Sequence, residues 1–168
     1  MAIRRIVTQG DDRLGKRCRP VTDFNKRLHQ LLDDMKDTLE EAQGAGLAAP
    51  QVGVLRRAVV IADGDGGMLE LVNPEILEQS GEQTGPEGCL SVPGKWGMVT
   101  RPNFVRIRAQ DRYGEWFEME GEELMARCFC HETEHLDGRL YVEHIDRFLT
   151  EDEVEEYFSA EEARREGR

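Results

Sequence analysis

The sequence contains no long apolar run, since its longest uninterrupted stretch is Ala58 to Ala62. A helix that crosses a bilayer needs about 20 apolar residues, so no membrane segment is expected. The amino-terminal residues run directly into the turn residues Gly10, Asp11 and Asp12, without the apolar core of a secretory signal. These absences predict a cytoplasmic protein without membrane contact.

Positive charge and cysteine are also scarce. The 22 lysines and arginines are outnumbered by 34 acidic residues, which gives a net charge of −12. Binding to a phosphate backbone depends on positive charge, so no direct nucleic-acid binding is expected. The four cysteines are predicted to serve metal binding or packing, because disulfides rarely persist in a reducing compartment.

Length and periodicity predict one α+β domain over residues 1–168. Apolar residues at helical spacing predict an N-terminal helix over 24–42 and a second helix over 121–136 that ends before Gly138. Strands are predicted over residues 57–62, 69–72 (ended by Asn73-Pro74), 103–111 and 115–120. Runs of strands before a helix indicate antiparallel sheets packed around a central helix.

The segment 150–168 is predicted to be an acidic C-terminal helix or tail. Thr150 and Glu153 are spaced as in a capping box, which would open a short terminal helix. Acidic residues dominate from Thr150 onward, so we expect a solvated end.

His131, Glu132 and His135 form a His-Glu-x-x-His box (HExxH) in the second predicted helix. Residues four apart lie on one face of a helix, so both imidazoles can reach one ion, with the glutamate beside it as a base. Two partly buried histidines on an amphipathic helix are the alternative interpretation. The box predicts a catalytic metal site that needs a third ligand.

Four residues compete for this third position. Cys128 lies roughly 7.5 Å along the helix from the midpoint of the box, too far for its short side chain, so packing is preferred. Tyr141 stands where metzincin proteases have a histidine, and Glu155 follows the break at Gly138 within an acidic run. Cys89, at an ordered loop or strand end, can present a thiolate, which is a strong ligand for zinc or ferrous iron. The residues alone permit Cys89 without establishing it.

Three motifs resemble, in order and spacing, the signature motifs of peptide deformylases. They are Gly44-Ala-Gly-Leu-Ala-Ala-Pro-Gln51, Glu87-Gly-Cys-Leu-Ser91 and His131-Glu-Thr-Glu-His135. The segment around Arg13-Leu14 and Arg19-Pro20-Val21 is similar too, so the likeness covers about residues 7–141.

The resemblance implies a metal centre and a reaction. Cys89, His131 and His135 would bind the metal, and Glu132 would be the catalytic acid and base. Family members remove the formyl group from the initiator methionine of new bacterial polypeptides, usually with ferrous iron (Fe2+), and zinc (Zn2+) can occupy the same site.

The resemblance also implies how substrate is held. Gln51 and the Leu90 backbone N–H would stabilise the oxyanion. The main chain at Ala45, Gly46 and Gly88 would approach an extended peptide, which could pair with it as an added strand. A loop-bracing role is the alternative for Gln51, and turn formation is the alternative for the glycines, including Gly44.

Several positions depart from common versions of the family pattern. Cys130 stands where many members have glutamine, Glu134 where aspartate is usual, and Trp96 where some have an arginine near the substrate. None is a ligand or the base, so these differences bear on substrate preference rather than on activity. The methionine side chain needs an apolar pocket, to which Leu124 and Cys128 are expected to contribute.

The expected partners are N-formylmethionyl nascent peptides, and the enzyme is expected to work in proximity to the ribosome. Some members touch the ribosome with a basic terminal helix, and the acidic tail of this chain does not predict that contact. Two other functions remain alternatives: a metalloprotease that cuts internal peptide bonds, and a silent metal-stabilised module that binds peptide amino termini. The intact Glu132 argues against the silent module, because a structural site needs no base.

Overall fold

The structure is a computed structural model that describes residues 2–166. Its larger sheet consists of β1 (Gly46–Ala48), β2 (Ala58–Ala62), β3 (Met68–Ser80), β6 (Phe104–Gln110) and β7 (Trp116–Glu122). These five strands pair antiparallel in the order β1, β2, β3, β6, β7. β1 therefore forms one edge of this sheet.

One helix packs on each face of the larger sheet. Residues on α1 (Lys26–Ala42) share a core cluster with Val60 of β2. Residues on α2 (Leu124–Leu136) share a second cluster with Val59 and Ile61. The continuous apolar run of β2 thus reflects burial on both sides of the strand.

A second, smaller sheet follows β3 in the chain. It contains β4 (Gln83–Cys89), β5 (Val92–Arg101) and β8 (Arg147–Phe148), which pair antiparallel in the order β4, β5, β8. Leu90 and Ser91 form the two-residue turn between β4 and β5. The sequence analysis did not predict these strands, because glycine and proline residues weaken the usual strand pattern.

The C-terminal end of α2 and the N-terminal end of the last helix are those that the sequence predicts. The Gly138 N–H donates to the His135 carbonyl at 3.1 Å, and Gly138 has a φ of 78°, which ends α2. At α3 (Glu151–Glu166) the Thr150 Oγ1 accepts from the Glu153 N–H, and the Glu153 carboxylate accepts from the Thr150 N–H. This confirms the capping box. The last two residues of the predicted tail, 167 and 168, lie outside the described residues.

Two predicted boundaries were wrong. The strand predicted to end at Asn73-Pro74 continues to Ser80, because Asn73 (φ 51°) forms a bulge at which the register with β6 shifts. The helix predicted from Gly121 begins at Leu124, because Gly121 still pairs with Val105 in the sheet.

The predicted fold class, α+β with antiparallel sheets, is confirmed. The predicted N-terminal, central and C-terminal helices correspond to α1, α2 and α3. Within residues 2–166, none of the helices combines the length and the apolar character needed to span a membrane.

Candidate metal centre

The helix α2 carries the histidine box on its buried side. His131, Glu132 and His135 are 8%, 4% and 1% exposed. The two imidazole rings lie 5.0 Å apart between centroids, as expected for residues one helical turn apart. Burial lowers the pKa of His135 well below its ordinary value, which keeps that ring neutral, as a metal ligand must be.

The turn after β4 brings Cys89 to the same place. Its Sγ lies 3.4 Å from His135 Nε2. The ligand atoms of Cys89, His131 and His135 all lie within 4.8 Å of one another. The structure therefore gathers the three residues that the resemblance implies as ligands.

This donor set fits a small divalent metal ion. One thiolate and two imidazoles suit zinc and ferrous iron. In a tetrahedral site with metal–sulfur and metal–nitrogen distances of about 2.3 and 2.0 Å, the sulfur and nitrogen atoms lie about 3.5 Å apart. The observed 3.4 Å between Cys89 Sγ and His135 Nε2 is close to this spacing. Three protein ligands leave a position for water or substrate, as catalytic sites do.

The three other candidates for the third ligand make other contacts, and Cys128 and Glu155 are not part of the group of ligand atoms within 4.8 Å. Cys128 is buried in the α2 core cluster, where burial raises the pKa of its thiol to about 12. Tyr141 donates its hydroxyl to the Lys95 carbonyl and stacks on His131 with 5.8 Å between ring centroids. Glu155 is exposed on α3.

A buried ion-pair cluster fixes the orientation of His131. His131 Nδ1–H donates to Glu87 Oε1 at 2.8 Å, which leaves Nε2 to face the centre. Arg101 binds both oxygens of Glu87 at 2.9 and 3.0 Å, and Arg127 Nη1 binds Oε2 at 2.6 Å. Burial acts to raise the pKa of Glu87, but the hydrogen bonds from His131 and Arg101 hold it well below its ordinary value. Glu87 is therefore a carboxylate.

The sequence analysis gave no role to Glu87, Arg101 or Arg127. Glu87 stood in a quoted motif, and two weak signals were available. It lies two residues before Cys89, so it shares a strand face with that residue, and Arg127 lies one helical turn before His131. Charged residues in such positions are usually read as solvated, and only the packing of β4 and β5 beside α2 shows that these are buried.

The surroundings of the Glu132 carboxyl group favour proton transfer. Burial is the largest influence on its pKa and raises it to about 7. Its Oε1 has no hydrogen-bond partner among the described residues. A carboxyl group with this pKa can both accept and return a proton near pH 7.

Gly46 leaves the space that Glu132 occupies. A Cβ at position 46 would lie 2.6 Å from Glu132 Oε2, and the backbone there is an extended strand, not a turn. Gly44 and Gly88 likewise adjoin side chains, since a Cβ would come within 2.9 Å of Leu90 and Trp96, respectively. The φ angles of all three glycines lie outside the positive range. Gly46 and Gly88 lie in strands, so close contact and not turn geometry explains them. Gly44 does take part in the turn that ends α1, because its N–H donates to the Leu39 carbonyl at 3.4 Å.

Gln51 lies against the metal centre and is 1% exposed. Its Nε2 lies 3.5 Å from Cys89 Sγ and donates to Ser91 Oγ at 3.1 Å, while its Oε1 accepts from the Ala48 N–H. The Gln51 side chain therefore braces the loop through its carbonyl, while its amide lies beside Cys89 and Ser91. Leu90 follows Cys89 in the chain and lies in the hairpin turn between β4 and β5.

The predicted peptide-binding and pocket residues lie on or beside β1, β4 and α2. Ala45 is exposed just before the edge strand β1, and its carbonyl accepts from Ala62 of β2. Gly88 precedes Cys89 on β4. Leu124 is 61% exposed at the start of α2, whereas Cys128 is buried one turn later.

Comparison with known proteins identifies the family. A family model described as polypeptide deformylase matches residues 3–151. The chain belongs to the polypeptide deformylase family. This match confirms the resemblance drawn from the three motifs and extends it beyond Tyr141, and it makes the chain a hydrolase of the deformylase class.

Bacterial deformylases are similar over nearly their whole length. A peptide deformylase of Agathobacter rectalis is 56% identical over 149 residues, which are 89% of this chain and 94% of that protein. Peptide deformylase 1 of Bacillus subtilis is 50% identical over 155 residues, which are 92% of this chain and 97% of that protein.

Solved deformylase structures share the fold. The crystal structure of a peptide deformylase from Legionella pneumophila matches with a TM-score of 0.83 and 39% identity, covering 95% of this chain and 98% of that one. The peptide deformylase of Thermotoga maritima matches with a TM-score of 0.85 and 38% identity, covering 87% and 99%.

Proposed function

We propose that this deformylase hydrolyses the N-formyl group from the N-terminal formylmethionine of newly made polypeptides and releases formate. The observation that carries the proposal is the meeting of Cys89 with His131 and His135 beside the buried Glu132. A metal-stabilised module without activity would have no use for a buried carboxyl group beside its ligands whose Oε1 has no hydrogen-bond partner among the described residues.

We propose Cys89, His131 and His135 as the ligands of one divalent metal ion, with Fe2+ as the native ion and Zn2+ as a second occupant. When bound, the ion supplies Lewis acidity, which eases deprotonation of water and polarises a carbonyl. If iron is native, activity decays in air as the iron or the thiolate oxidises, and zinc-loaded protein resists this. Equal air stability of the iron- and zinc-loaded protein would contradict the assignment of iron.

Glu132 is proposed to move the proton. It takes a proton from the attacking water and later passes it to the leaving amine. Gly46, which has no Cβ, leaves room for the carboxylate, and Glu132 Oε1 has no competing hydrogen-bond partner among the described residues.

Gln51 and Leu90 are proposed to stabilise the oxyanion that develops on the formyl carbon. The Gln51 amide is held in place by the bond from Ala48 N–H to its Oε1, and its Nε2 would donate to the oxyanion in place of its long contact with Cys89 Sγ. The Leu90 backbone N–H would be the second donor. Each such donor is typically worth about 3–4 kcal/mol in the transition state.

The substrate is proposed to bind as an extended strand. β1 is an edge of the larger sheet, and Ala45, Gly46 and Gly88 offer main chain without large side chains beside the metal ligands. We expect the reaction in the cytoplasm near the ribosome, where formylated nascent peptides arise. The acidic residues of α3 give no support for a direct ribosome contact through this helix.

The test is formate release from a formyl-Met peptide by anaerobically purified protein of measured metal content. The same peptide with an acetyl group in place of formyl is the matched control, and casein reports on cleavage of internal bonds. We expect rapid formate release, little hydrolysis of the acetyl peptide and no casein cleavage. Metal-loaded protein that releases no formate, or that cuts casein faster than it deformylates, would overturn the proposal.

A further inference from the structure

A chain of polar contacts runs from the surface residue His144 to the buried cluster around Glu87. Glu134 is the residue before His135 on α2, and its side chain is 19% exposed. One oxygen of its carboxylate accepts from Arg101 Nη1, and the other accepts from His144 Nε2–H. His144, with a 36% exposed side chain, follows the single helical turn Tyr141–Glu143.

Arg101 connects this surface pair to the centre. The same guanidinium that contacts Glu134 binds both oxygens of Glu87, which in turn accepts from His131 Nδ1–H. Arg101 is 7% exposed and Glu87 is 4% exposed, so water screens these contacts poorly. A change in the orientation of Arg101 would therefore be transmitted to the ring of His131.

Glu134 has a specific function in this cluster. Two guanidiniums, from Arg101 and Arg127, converge on the single carboxylate of Glu87, and Glu134 supplies the second negative charge. A carboxylate held at only one oxygen can rotate, whereas one held at both oxygens has a fixed plane. His144 holds the second oxygen.

We propose that His144 is a positioning residue for the metal centre. It fixes the Glu134 carboxylate, which holds Arg101 in the orientation that aligns Glu87 and hence His131 Nε2 toward the metal. The inference rests on the proposed metal ligands. It assigns a function to a surface residue that touches neither metal nor substrate.

The segment Tyr141–His144 also contacts His131 directly, through Tyr141. Tyr141, three residues before His144, stacks on the His131 ring, and its hydroxyl is anchored to the Lys95 carbonyl. The segment that carries His144 is thus fixed relative to the metal ligand, so loss of the His144 side chain would leave the backbone in place.

The experiment measures how fast the full chain, loaded with Co2+, loses the metal to excess EDTA. The visible absorption of Co2+ bound to a thiolate reports the bound state, so no enzymatic assay is involved. His144→Ala removes the contact to Glu134, and His144→Gln keeps an N–H donor of similar reach. His29→Ala is the matched control, since His29 is a partly buried histidine that bonds the Arg112 carbonyl on another part of the fold.

Direct partners of metal ligands typically contribute about 10–100-fold to metal affinity. His144 acts on His131 only through Glu134, Arg101 and Glu87, so we expect an effect at the lower end of that range. Co2+ release from His144→Ala should be about tenfold faster than from the original chain. His144→Gln should release Co2+ within about threefold of the rate of the original chain, and His29→Ala should match the original chain. His144→Ala should also add nothing in a Glu134→Gln background, because both changes break the same contact.

The outcomes separate this inference from the proposed function. If the original chain binds Co2+ with a thiolate absorption band but His144→Ala releases it no faster than His29→Ala, the positioning role is wrong and the proposed function stands. If the original chain binds no Co2+, both are wrong. If His144→Gln releases the metal as fast as His144→Ala, the donor to Glu134 is not what matters, and the inference is overturned.

Discussion

The sulfur of Cys89 lies 3.4 Å from Nε2 of His135, although the two residues are 46 positions apart in the chain. Cys89 is the last residue of one strand of a hairpin, and His135 lies on the helix packed behind it. This contact places a thiol beside a pair of helical histidines, as the proposed three-ligand site requires. The predictions below test the parts of that proposal.

Substitution of Cys89 should remove the metal. Cys89→Ser replaces a thiolate with a hydroxyl group, which is a weak ligand for zinc or iron, so metal content should fall from nearly stoichiometric to a small fraction. Elemental analysis of the purified protein measures this. Cys130→Ala is the matched control, because Cys130 is a buried cysteine on α2 whose pKa burial raises to about 11. Near-stoichiometric metal in Cys89→Ser would show that another residue completes the site.

Substitution of Glu132 should separate metal binding from catalysis. Glu132→Ala removes the proposed acid and base but none of the proposed ligands, so metal content should stay near that of the original chain. Formate release should fall by at least about 10²–10⁴-fold, the usual contribution of general acid–base catalysis. The assay uses formyl-Met peptide with metal measured on the same samples. A variant that keeps most of its activity would refute the role given to Glu132.

A single methyl group at position 46 should impair the same carboxylate. The Cβ of Gly46→Ala would lie 2.6 Å from Glu132 Oε2, so the carboxylate must move. A displacement of about 1 Å in a catalytic group can cost about 100-fold in rate, and we expect a loss of kcat of that order with metal content unchanged. Gly15→Ala, where no atom lies within 4 Å of the new Cβ, is the control. Equal kcat values for the two variants would contradict the close packing of Gly46 on Glu132.

Acid stability should depend on Asp34, a buried residue of α1. Burial acts to raise its pKa, but hydrogen bonds from Gln30, the Ala2 N–H and Arg4 lower it overall from the ordinary 3.8. A depressed carboxyl pKa stabilises the fold at pH values above about 4–5, and this contribution is lost as pH falls through the folded-state pKa.

Asp34→Asn should therefore reduce the free energy of unfolding at pH 7 and have a smaller effect near pH 3. Urea unfolding of metal-free protein at both pH values measures this. Glu40→Gln, at an exposed position on the same helix, should change stability little at either pH. An Asp34→Asn effect that is equal at pH 7 and pH 3 would contradict the lowered pKa.

Much of the fold follows from local sequence patterns. The helices α1 and α2 show apolar residues at helical spacing, and Gly138 ends α2 where its sequence position predicts. Of the five strands of the larger sheet, β2, β6, β7 and the first part of β3 are apolar or alternating enough to be predicted, whereas the three-residue strand β1 was not predicted. The bulge at Asn73 was not predicted either, because it depends on the side chain bonding Val21 and Gln110, which are distant in sequence.

The sequence predicted the site residues that lie close together in the chain, but not those brought together by tertiary packing. The spacing of His131 and His135 on one helix indicates a chelating pair without any knowledge of the fold. The approach of Cys89 depends on the β4–β5 hairpin, so residues alone left four candidates and the family motifs favoured one. The contacts of Glu87 with Arg101 depend on strand pairing combined with helix packing, and no periodic pattern indicates them.

X-ray absorption at the metal edge of anaerobically prepared, metal-loaded protein tests the central claim most directly. We predict one sulfur at about 2.3 Å and two imidazole nitrogens at about 2.0–2.1 Å, with the sulfur lost in Cys89→Ser. A metal shell of nitrogen and oxygen ligands alone would contradict the account.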